Sequence, residues 1–214
     1  MPYERLRLKL GLCPRLVPLE LGNRLNLNLL SNSTNEINKK ATTSLKLTFQ
    51  DLSDDSAYKI TITSDDVEIV SGDESGFYYA LVSLMQLSQN YHQLVPCGSI
   101  FDKPRFSWRG QHLDTVRHFF SVDSLFKLLD LMSLFKLNKF HWHGVDDEAF
   151  RFKLDSYPEA ATETSKRGNN LLVPPVFGSG SDATGGCYDK EDIDKIIHRA
   201  SANYIEVIPE FDLP

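Results

Sequence analysis

Residues 110–145, GQHLDTVRHFFSVDSLFKLLDLMSLFKLNKFHWHGV, contain the signals of a strand, a helix and a second strand in succession. Gly110 to Thr115 is predicted to form the first strand, and Lys139 to Val145 the second. Ser121 can cap the intervening helix, whose apolar residues recur at helical spacing on one side: Leu125, Leu128, Leu129, Met132 and Phe135. Two strands joined by a crossover helix are expected to be parallel.

The same alternation continues towards the end of the sequence. Residues 156–188 are rich in Gly, Ser and Pro and are predicted to form a long loop. Asp189 then caps a helix, and Ile205 to Phe211 follows as a third strand. The buried side of that helix is predicted to comprise Ile193, Ile196, Ile197 and Ala200.

Three βα units within residues 104–214 indicate an incomplete (β/α)8 barrel, because a complete barrel needs about 250 residues. We therefore interpret the sequence as a fragment, with an open three-stranded sheet as the alternative. The third strand would lack its next neighbour. Its apolar residues Ile205, Val207 and Ile208 then predict self-association through the open edge.

The N-terminal part has a different hydrophobic periodicity, since apolar and polar residues alternate in four segments: 24–29, 45–49, 58–63 and 67–69. From about Ser75 to Asn90 the spacing becomes helical, with Phe77, Ala80, Leu81, Leu84 and Leu87 on one side. These signals predict an antiparallel sheet covered by a helix, which is an α+β domain. A linker with Pro96, Gly98 and Pro104 follows, so we place the domains at 1–100 and 101–214.

Bulk properties exclude several partners. The net charge of −6 and the pI near 5.5 argue against nucleic acid and anionic membranes as partners. No apolar run approaches the roughly 20 residues that span a bilayer. No signal peptide is visible in MPYERLRLKL, and the cellular location stays open. The cysteines Cys13, Cys97 and Cys187 are too widely spaced for a zinc motif or a disulfide framework and are expected to be free thiols.

Polar side chains collect where the three barrel strands end, which is where α/β barrels carry their active sites. These side chains belong to residues 114–118, 141–148 and 210–212. Strand alternation places His141 and His143 on one face and turns Trp142 away. If Asp146 and Asp147 are extended, at most one of them faces the common centre.

Each of these groups has a structural alternative. Asp114 and Arg117 could form a structural ion pair, the two histidines could be packed and hydrogen-bonded, and the Asp146-Asp147-Glu148 run could be a solvated turn. His141-x-His143 with nearby aspartates also resembles a strand-end metal pair, so a metal-dependent hydrolase is an alternative enzyme class.

These polar residues lie within a series of four motifs that follow one another along the chain: PRFSWRGQHLDTVRHFF at 104–120, LNKFHWHGVDDEAFRFKLDSYPE at 137–159, GGCYDKEDI at 185–193 and IEVIPEFDLP at 205–214. Together they closely resemble the family 20 glycoside hydrolases, which are β-N-acetylhexosaminidases. The segment SGFYYALVSLMQL at 75–87 resembles the small α+β domain that precedes the barrel in that family.

The resemblance implies a glycosidase that releases terminal N-acetylglucosamine or N-acetylgalactosamine with retention. Its substrates would be oligosaccharides, including chitin oligosaccharides, or glycoconjugates, with no cofactor and no metal. The substrate's own 2-acetamido oxygen acts as the nucleophile. An Asp-Glu pair at the end of the fourth strand supplies the general acid, so these 214 residues are expected to be inactive alone. A non-catalytic carbohydrate-binding or interaction fragment is the alternative.

The resemblance also implies roles for individual residues. Arg109 matches the arginine that grips sugar hydroxyls, and a lysine in its place is expected to lower kcat/KM strongly. His143 and Asp146 match residues that line the pocket, and Asp146 is coupled to the acid through a histidine beyond Pro214. Five further residues match positions that support those touching the sugar: Asp114, His118, Asp147, Glu210 and Asp212.

Overall fold

The computed structural model describes residues 5–7, 44–91, 94–175 and 182–212. The chain divides into two units, Met1–Ser107 and Trp108–Pro214, and strand β6 (Gly98–Asp102) runs across the predicted boundary at residue 100. The strand predicted at 24–29 lies outside the described residues. Among the helices that the structure describes, none has the length and apolar character required to cross a membrane.

The described residues of the first unit form six strands: β1 (Arg5–Arg7), β2 (Ser44–Phe49), β3 (Tyr58–Ile62), β4 (Asp66–Ser71), β5 (Leu94–Pro96) and β6. Four of them form a sheet in the order β2-β4-β3-β6, and β1 pairs with β5. The predicted linker thus contributes two strands, one of which forms the edge of the main sheet.

The prediction of an antiparallel sheet is wrong for one pair, because β2 and β4 are parallel. β3 pairs antiparallel with both β4 and β6. Residues 50–57 carry the chain past the end of β4, so β2 pairs on the far side of β4 from β3. Apolar alternation identifies the buried face of a strand but not its neighbours, which is why the sequence did not reveal this arrangement.

The helix α1 (Glu74–Asn90) contacts strands β3 and β4 of this sheet and confirms the predicted change of period. Its N-cap is Asp73, whose carboxylate accepts a hydrogen bond from the backbone N–H of Gly76 at 2.7 Å. Phe77, Ala80 and Leu84 are buried as predicted, whereas Leu81 and Leu87 are only half-buried. The first unit is therefore a mixed α+β layer.

The second unit contains, in chain order, β7 (Gly110–Asp114), α2 (Val122–Leu134), β8 (Lys139–Asp146), β9 (Ala149–Phe150), α3 (Pro158–Thr164), β10 (Lys166–Arg167), β11 (Thr184–Gly185), α4 (Lys190–Ala202) and β12 (Glu206–Phe211). The strands β7, β8 and β12 are parallel, in the order β12-β8-β7, as the sequence predicts. Ser121 and Asp189 are the N-caps of α2 and α4, which confirms both predicted helix starts.

One face of this sheet packs against α2 and α4 and forms the core of the second unit. Phe140 and Trp142 point from β8 into this core, where they meet Leu129 and Ile196. Two residues predicted on the buried sides of the helices are exposed instead. Phe135 lies just beyond the end of α2, and Ile197 is on the outer side of α4.

The predicted loop at 156–188 is wrong as a description of the whole segment. It contains the short helix α3 and the antiparallel pair of β10 and β11. Further bridges connect Phe152 with Tyr188 and Arg167 with Val173. Gly and Pro mark the many changes of direction in this segment, but the short paired elements between them have no periodicity to detect.

Candidate active site

The face of the second sheet opposite the core carries several of the predicted site residues. The register aligns His112 of β7 with His141 of β8, and Asp114 with His143. Glu210 of β12 is aligned with His143 on the other side. Because side chains alternate along a strand, these five residues share one face near the carboxyl ends of the strands. Part of the predicted cluster is thus assembled by the sheet itself.

Glu210 lies at the centre of the three histidines. One carboxylate oxygen is 2.7 Å from His141 Nε2 and 3.5 Å from His112 Nε2, and the other is 3.2 Å from His143 Nδ1. His143 is buried, whereas His112 and His141 are partly exposed. These are ion-pair distances, and the buried Glu210 Oε2 has no hydrogen-bond partner in the described structure, so the alternative of packed and hydrogen-bonded histidines does not account for this oxygen.

A β-bulge brings Asp146 to His143. The pairing of β8 with β12 shifts by one residue at Gly144, since Glu210 pairs with His143 and Phe211 pairs with Val145. Residues three apart on a regular strand point to opposite faces, and a bulge re-aims one of them. The Asp146 carboxylate consequently lies 3.1 Å from His143 Nε2.

Asp146 is the most buried carboxylate of the cluster. Its side chain is 3% exposed, whereas Asp147 is exposed, which confirms that only one of the two faces the centre. The second oxygen of Asp146 accepts a hydrogen bond from the backbone N–H of Glu148 at 2.7 Å. Asp147 and Glu148 form the turn after β8, so the solvated-turn alternative holds for Asp147, whereas the Asp146 side chain is buried.

Arg117 joins three carboxylates at the mouth of this cluster. Its guanidinium lies 3.1 Å from Asp114, 2.8 Å from Asp146 and 3.5 Å from Glu148. The Arg117 side chain is 41% exposed, so the guanidinium joins the buried carboxylate to the solvent-accessible side. The ion pair of Asp114 and Arg117 exists, but it is one part of a larger network.

Asp114 fixes the turn that presents Arg117. Its carboxylate accepts hydrogen bonds from the backbone N–H groups of Val116 and Arg117 at 2.9 and 3.0 Å. Partial burial raises the pKa of Asp114, but the hydrogen bonds from the Arg117 backbone and side chain outweigh it and hold the pKa below its ordinary value. Asp114 thus stays ionised beside Arg117.

Arg109 lies at the opposite end of the sheet, and the structure does not bring it to this cluster. It precedes β7, and four residue steps of about 3.3 Å separate Gly110 from Asp114, or about 13 Å in all. Arg109 Nε donates a hydrogen bond to the carbonyl of Lys136, just after α2, at 2.8 Å. The arginine at the carboxyl ends is Arg117. The sequence contains a signal that distinguishes Arg109 from Arg117, because Arg109 precedes the strand β7 and Arg117 follows it.

Two other predicted residues lie at the border of the cluster. His118 is exposed, and its ring packs edge-on against Phe120 with a centroid distance of 4.9 Å. Asp212 is exposed and its backbone N–H donates to the carbonyl of Val145 at 2.9 Å. Their side chains have no measured contact with Arg117, Asp146 or His143 in the described part of the chain.

One group in the described residues has the spacing of a metal site: the ligand atoms of His112, His143 and Glu210 lie within 4.8 Å of one another. The pair named by the metal-hydrolase alternative, His141 and His143, is not this group. Both ring nitrogens of His143 already face carboxylates, those of Glu210 and Asp146, whereas the buried Glu210 Oε2 has no hydrogen-bond partner in the described structure. Metal analysis of the purified full-length protein would separate the two interpretations.

Gly144 should not tolerate a side chain. A Cβ atom there would lie 2.0 Å from the ring of Phe152, which is buried against Trp142 and Tyr188. We expect Gly144→Ala to lower the free energy of unfolding by about 1–3 kcal/mol, as overpacking does. Chemical denaturation of the full-length protein measures this. Gly72→Ala, whose Cβ would meet no atom closer than 3.5 Å, is the control, and equal stability of both variants would contradict the close packing.

Comparison with known families gives matches over both units. The family model described as glycosyl hydrolase family 20, catalytic domain, matches residues 106–214. The model described as glycosyl hydrolase family 20, domain 2, matches residues 18–103. The two matches follow one another along the chain.

Individual proteins agree with the family matches. A β-hexosaminidase of Vibrio vulnificus is 36% identical over 165 residues, which are 74% of this chain and 20% of that protein. An N,N'-diacetylchitobiase of Vibrio harveyi is 38% identical over 173 residues, 77% of this chain and 20% of that protein. The chain thus spans about a fifth of the length of these curated relatives.

A solved structure extends the likeness to three dimensions. The crystal structure of an exo-β-N-acetylglucosaminidase of Vibrio harveyi, in complex with N-acetylglucosamine, has a TM-score of 0.75 and 33% identity. The match covers 92% of this chain and 30% of that chain. The likeness therefore includes both sequence and fold.

Proposed function

Because the chain belongs to glycosyl hydrolase family 20, we propose that the full-length protein is a β-N-acetylhexosaminidase that releases terminal N-acetylglucosamine or N-acetylgalactosamine. In this proposal the first unit is the accessory domain, and the second contributes three parallel strands and the crossover helices α2 and α4 of a (β/α)8 barrel. The domain boundary then falls between the two family matches, at residues 103–106. The substrates are oligosaccharides or glycoconjugates that end in an N-acetylhexosamine.

The observation that carries the proposal is the Arg117–Asp146–His143 arrangement at the carboxyl ends of the parallel strands. A sugar pocket needs donors that reach hydroxyls and carboxylates that hold those donors in place. Each guanidinium nitrogen of Arg117 faces one carboxylate: Nε faces Glu148, and the two terminal nitrogens face Asp114 and Asp146. A guanidinium has five N–H donors, so one remains on each terminal nitrogen in the described structure.

We assign the sugar-gripping role to Arg117 in place of Arg109. Two donors in a fixed fork suit two neighbouring hydroxyls, which a lysine ammonium does not match. Asp146 holds the fork from the buried side, and His143 fixes Asp146 from behind. Glu210 and Asp114 support His143 and Arg117, respectively. Arg109 then stabilises the connection between α2 and β8.

The described residues hold and orient the sugar, whereas the reacting groups come from elsewhere. In the mechanism that family membership implies, the substrate's acetamido oxygen attacks the anomeric carbon. An Asp-Glu pair at the end of a fourth strand orients that acetamido group and protonates the leaving oxygen. A polypeptide of residues 1–214 alone has three such strands and is therefore expected to show no turnover, because general acid catalysis typically contributes about 10²–10⁴-fold.

Two chromogenic substrates test the function of the full-length protein. We expect hydrolysis of p-nitrophenyl N-acetyl-β-D-glucosaminide and none of p-nitrophenyl β-D-glucoside, which lacks the acetamido nucleophile. Equal turnover of both would rule out substrate assistance. Binding of N-acetylglucosamine by the full-length protein without turnover would favour the non-catalytic alternative.

We further propose that a polypeptide of these 214 residues self-associates through β12. In the described structure β12 and β7 each pair with β8 only, so each has an unpaired edge. We expect sedimentation at micromolar concentration to show dimers or larger species. Ile208→Lys would place a charge on the edge and should shift the population towards monomer. A monomer at all concentrations for the unchanged sequence would contradict the proposal.

A further inference from the structure

A second arginine, Arg151, lies beneath the site and has contacts of an unusual kind. Its side chain is fully buried, at 1% exposure, just after the short strand β9. Within the described residues, all of its hydrogen bonds go to backbone carbonyls. They are those of Thr115 at 2.9 Å, Val116 at 2.7 Å, Gly186 at 2.9 Å, and Ser165. The guanidinium therefore ties three separate stretches of backbone together.

Two of those carbonyls belong to the residues that immediately precede Arg117. Arg167, which is also buried, donates a further hydrogen bond to the Val116 carbonyl at 3.0 Å and holds Glu148 at 3.1 Å. Glu148 in turn lies beside Arg117. Two buried guanidinium groups thus converge on one peptide segment.

The rest of that segment is fixed as well. The backbone N–H and the hydroxyl of Thr115 both donate to the His143 carbonyl, at 3.0 and 2.8 Å. The N–H groups of Val116 and Arg117 donate to Asp114. Every backbone polar group from Thr115 to the Arg117 N–H therefore has a partner. Because these hydrogen bonds fix the backbone of Thr115 and Val116, the side chain of Arg117 leaves the backbone in one direction.

Burial of the charged Arg151 side chain is unfavourable for the free energy of folding. Burial, together with the positive charge of Arg167, lowers the pKa of Arg151 to about 10, so the environment opposes the charged form. None of the measured hydrogen bonds of Arg151 in the described structure is to a carboxylate. A buried charge without a directly paired carboxylate contributes poorly to stability, whereas a planar fork with five donors fixes backbone geometry well.

We propose that Arg151, assisted by Arg167, is a positioning residue that sets the place of the Arg117 guanidinium in the sugar pocket. The inference rests on the proposed function, because it takes Arg117 as the residue that grips the sugar. Arg151 acts through the Thr115–Val116 backbone and does not touch the substrate. Its contacts with Ser165 and Gly186 also connect the segment after β9 to the same peptide.

Arg151→Lys in the full-length protein is the first test. A single ammonium cannot reach all four carbonyls, so Arg117 should lose its fixed position. A misplacement of about 1 Å can cost on the order of 100-fold in rate. We expect a decrease in kcat/KM of about 10-fold to 100-fold, mainly through a higher KM, in protein that remains folded. Unchanged kinetics would overturn the proposal.

Arg199→Lys is the matched control. Arg199 also forms two hydrogen bonds through its guanidinium, to Asp130 at 2.6 and 2.9 Å, but it connects α4 to α2 away from the cluster. We expect it to lower the melting temperature and to leave KM unchanged. If both variants raise KM equally, the effect of Arg151→Lys is one of general stability and the proposal fails.

A double-mutant cycle separates this inference from the proposed function. If Arg151 acts through Arg117, Arg151→Lys should cost less than about twofold in a background that already carries Arg117→Lys, because residues in one network are not additive. Additive effects would overturn the positioning role. Wild-type kinetics for Arg117→Lys alone would instead refute the role of Arg117. If the Arg151→Lys variant does not fold, Arg167→Lys replaces it in the cycle. A non-additive effect with Arg117→Lys then supports the positioning role, and an additive effect overturns it.

Discussion

Replacing Arg117 with Lys in the full-length protein is expected to lower kcat/KM for an N-acetylhexosaminide by about 10-fold to 100-fold. The ammonium retains the charge beside Asp146 but loses the two-pronged geometry of the guanidinium. Hydrogen bonds from charged groups contribute about 1.5–3 kcal/mol, which corresponds to the expected change in rate. Steady-state kinetics with a chromogenic substrate measure it.

Arg109→Lys is the comparison that makes this result decisive. Arg109 donates to the Lys136 carbonyl and its backbone N–H donates to the side chain of Asn138. Loss of the Nε bond should lower the melting temperature and leave kcat/KM near that of the wild type. If Arg109→Lys lost activity in folded protein while Arg117→Lys did not, the assignment of the two arginines would be reversed.

Asp146→Asn is expected to have the larger effect of the two active-site changes. The buried carboxylate faces Arg117 on one side and His143 on the other, and an amide cannot replace its charge. The change removes the charge that holds Arg117 and leaves a buried amide facing both partners, although the partly exposed Arg117 can still be solvated. We expect kcat/KM to fall by more than about 100-fold, together with a lower melting temperature.

Asp155→Asn is the control for that change, since Asp155 is exposed in the turn after β9. It should match the wild type in both measurements. Activity of the Asp146→Asn variant within about threefold of the wild type would show that the carboxylate does not hold the sugar-binding arginine. The network described above would then be structural.

Most of the second unit follows from local signals in the sequence. The caps Ser121 and Asp189 predict two helix starts, and the structure confirms both. The β/α alternation predicts parallel strands, which the structure also confirms. Strand direction also determines which polar residues meet, because those after a strand share the carboxyl end. Arg117 follows β7 and Arg109 precedes it, so the same rule separates the two arginines.

Other features of the site depend on contacts that are distant in sequence. Strict alternation places His143 and Asp146 on opposite faces, and only the bulge at Gly144 brings them together. The ring of Phe152 approaches the backbone at Gly144 so closely that a Cβ there would lie 2.0 Å from it. Arg151 has no sequence signal at all, because its partners are backbone carbonyls at residues 115, 116, 165 and 186.

A crystal structure of the full-length protein with N-acetylglucosamine bound tests the central claim most directly. The account predicts the sugar at the carboxyl ends of β7 and β8. A terminal nitrogen of Arg117 should then lie within hydrogen-bond distance of a ring hydroxyl, with Arg109 at the opposite end of β7 and away from the sugar. A sugar bound at the amino ends of these strands, or in contact with Arg109 and not with Arg117, would contradict it.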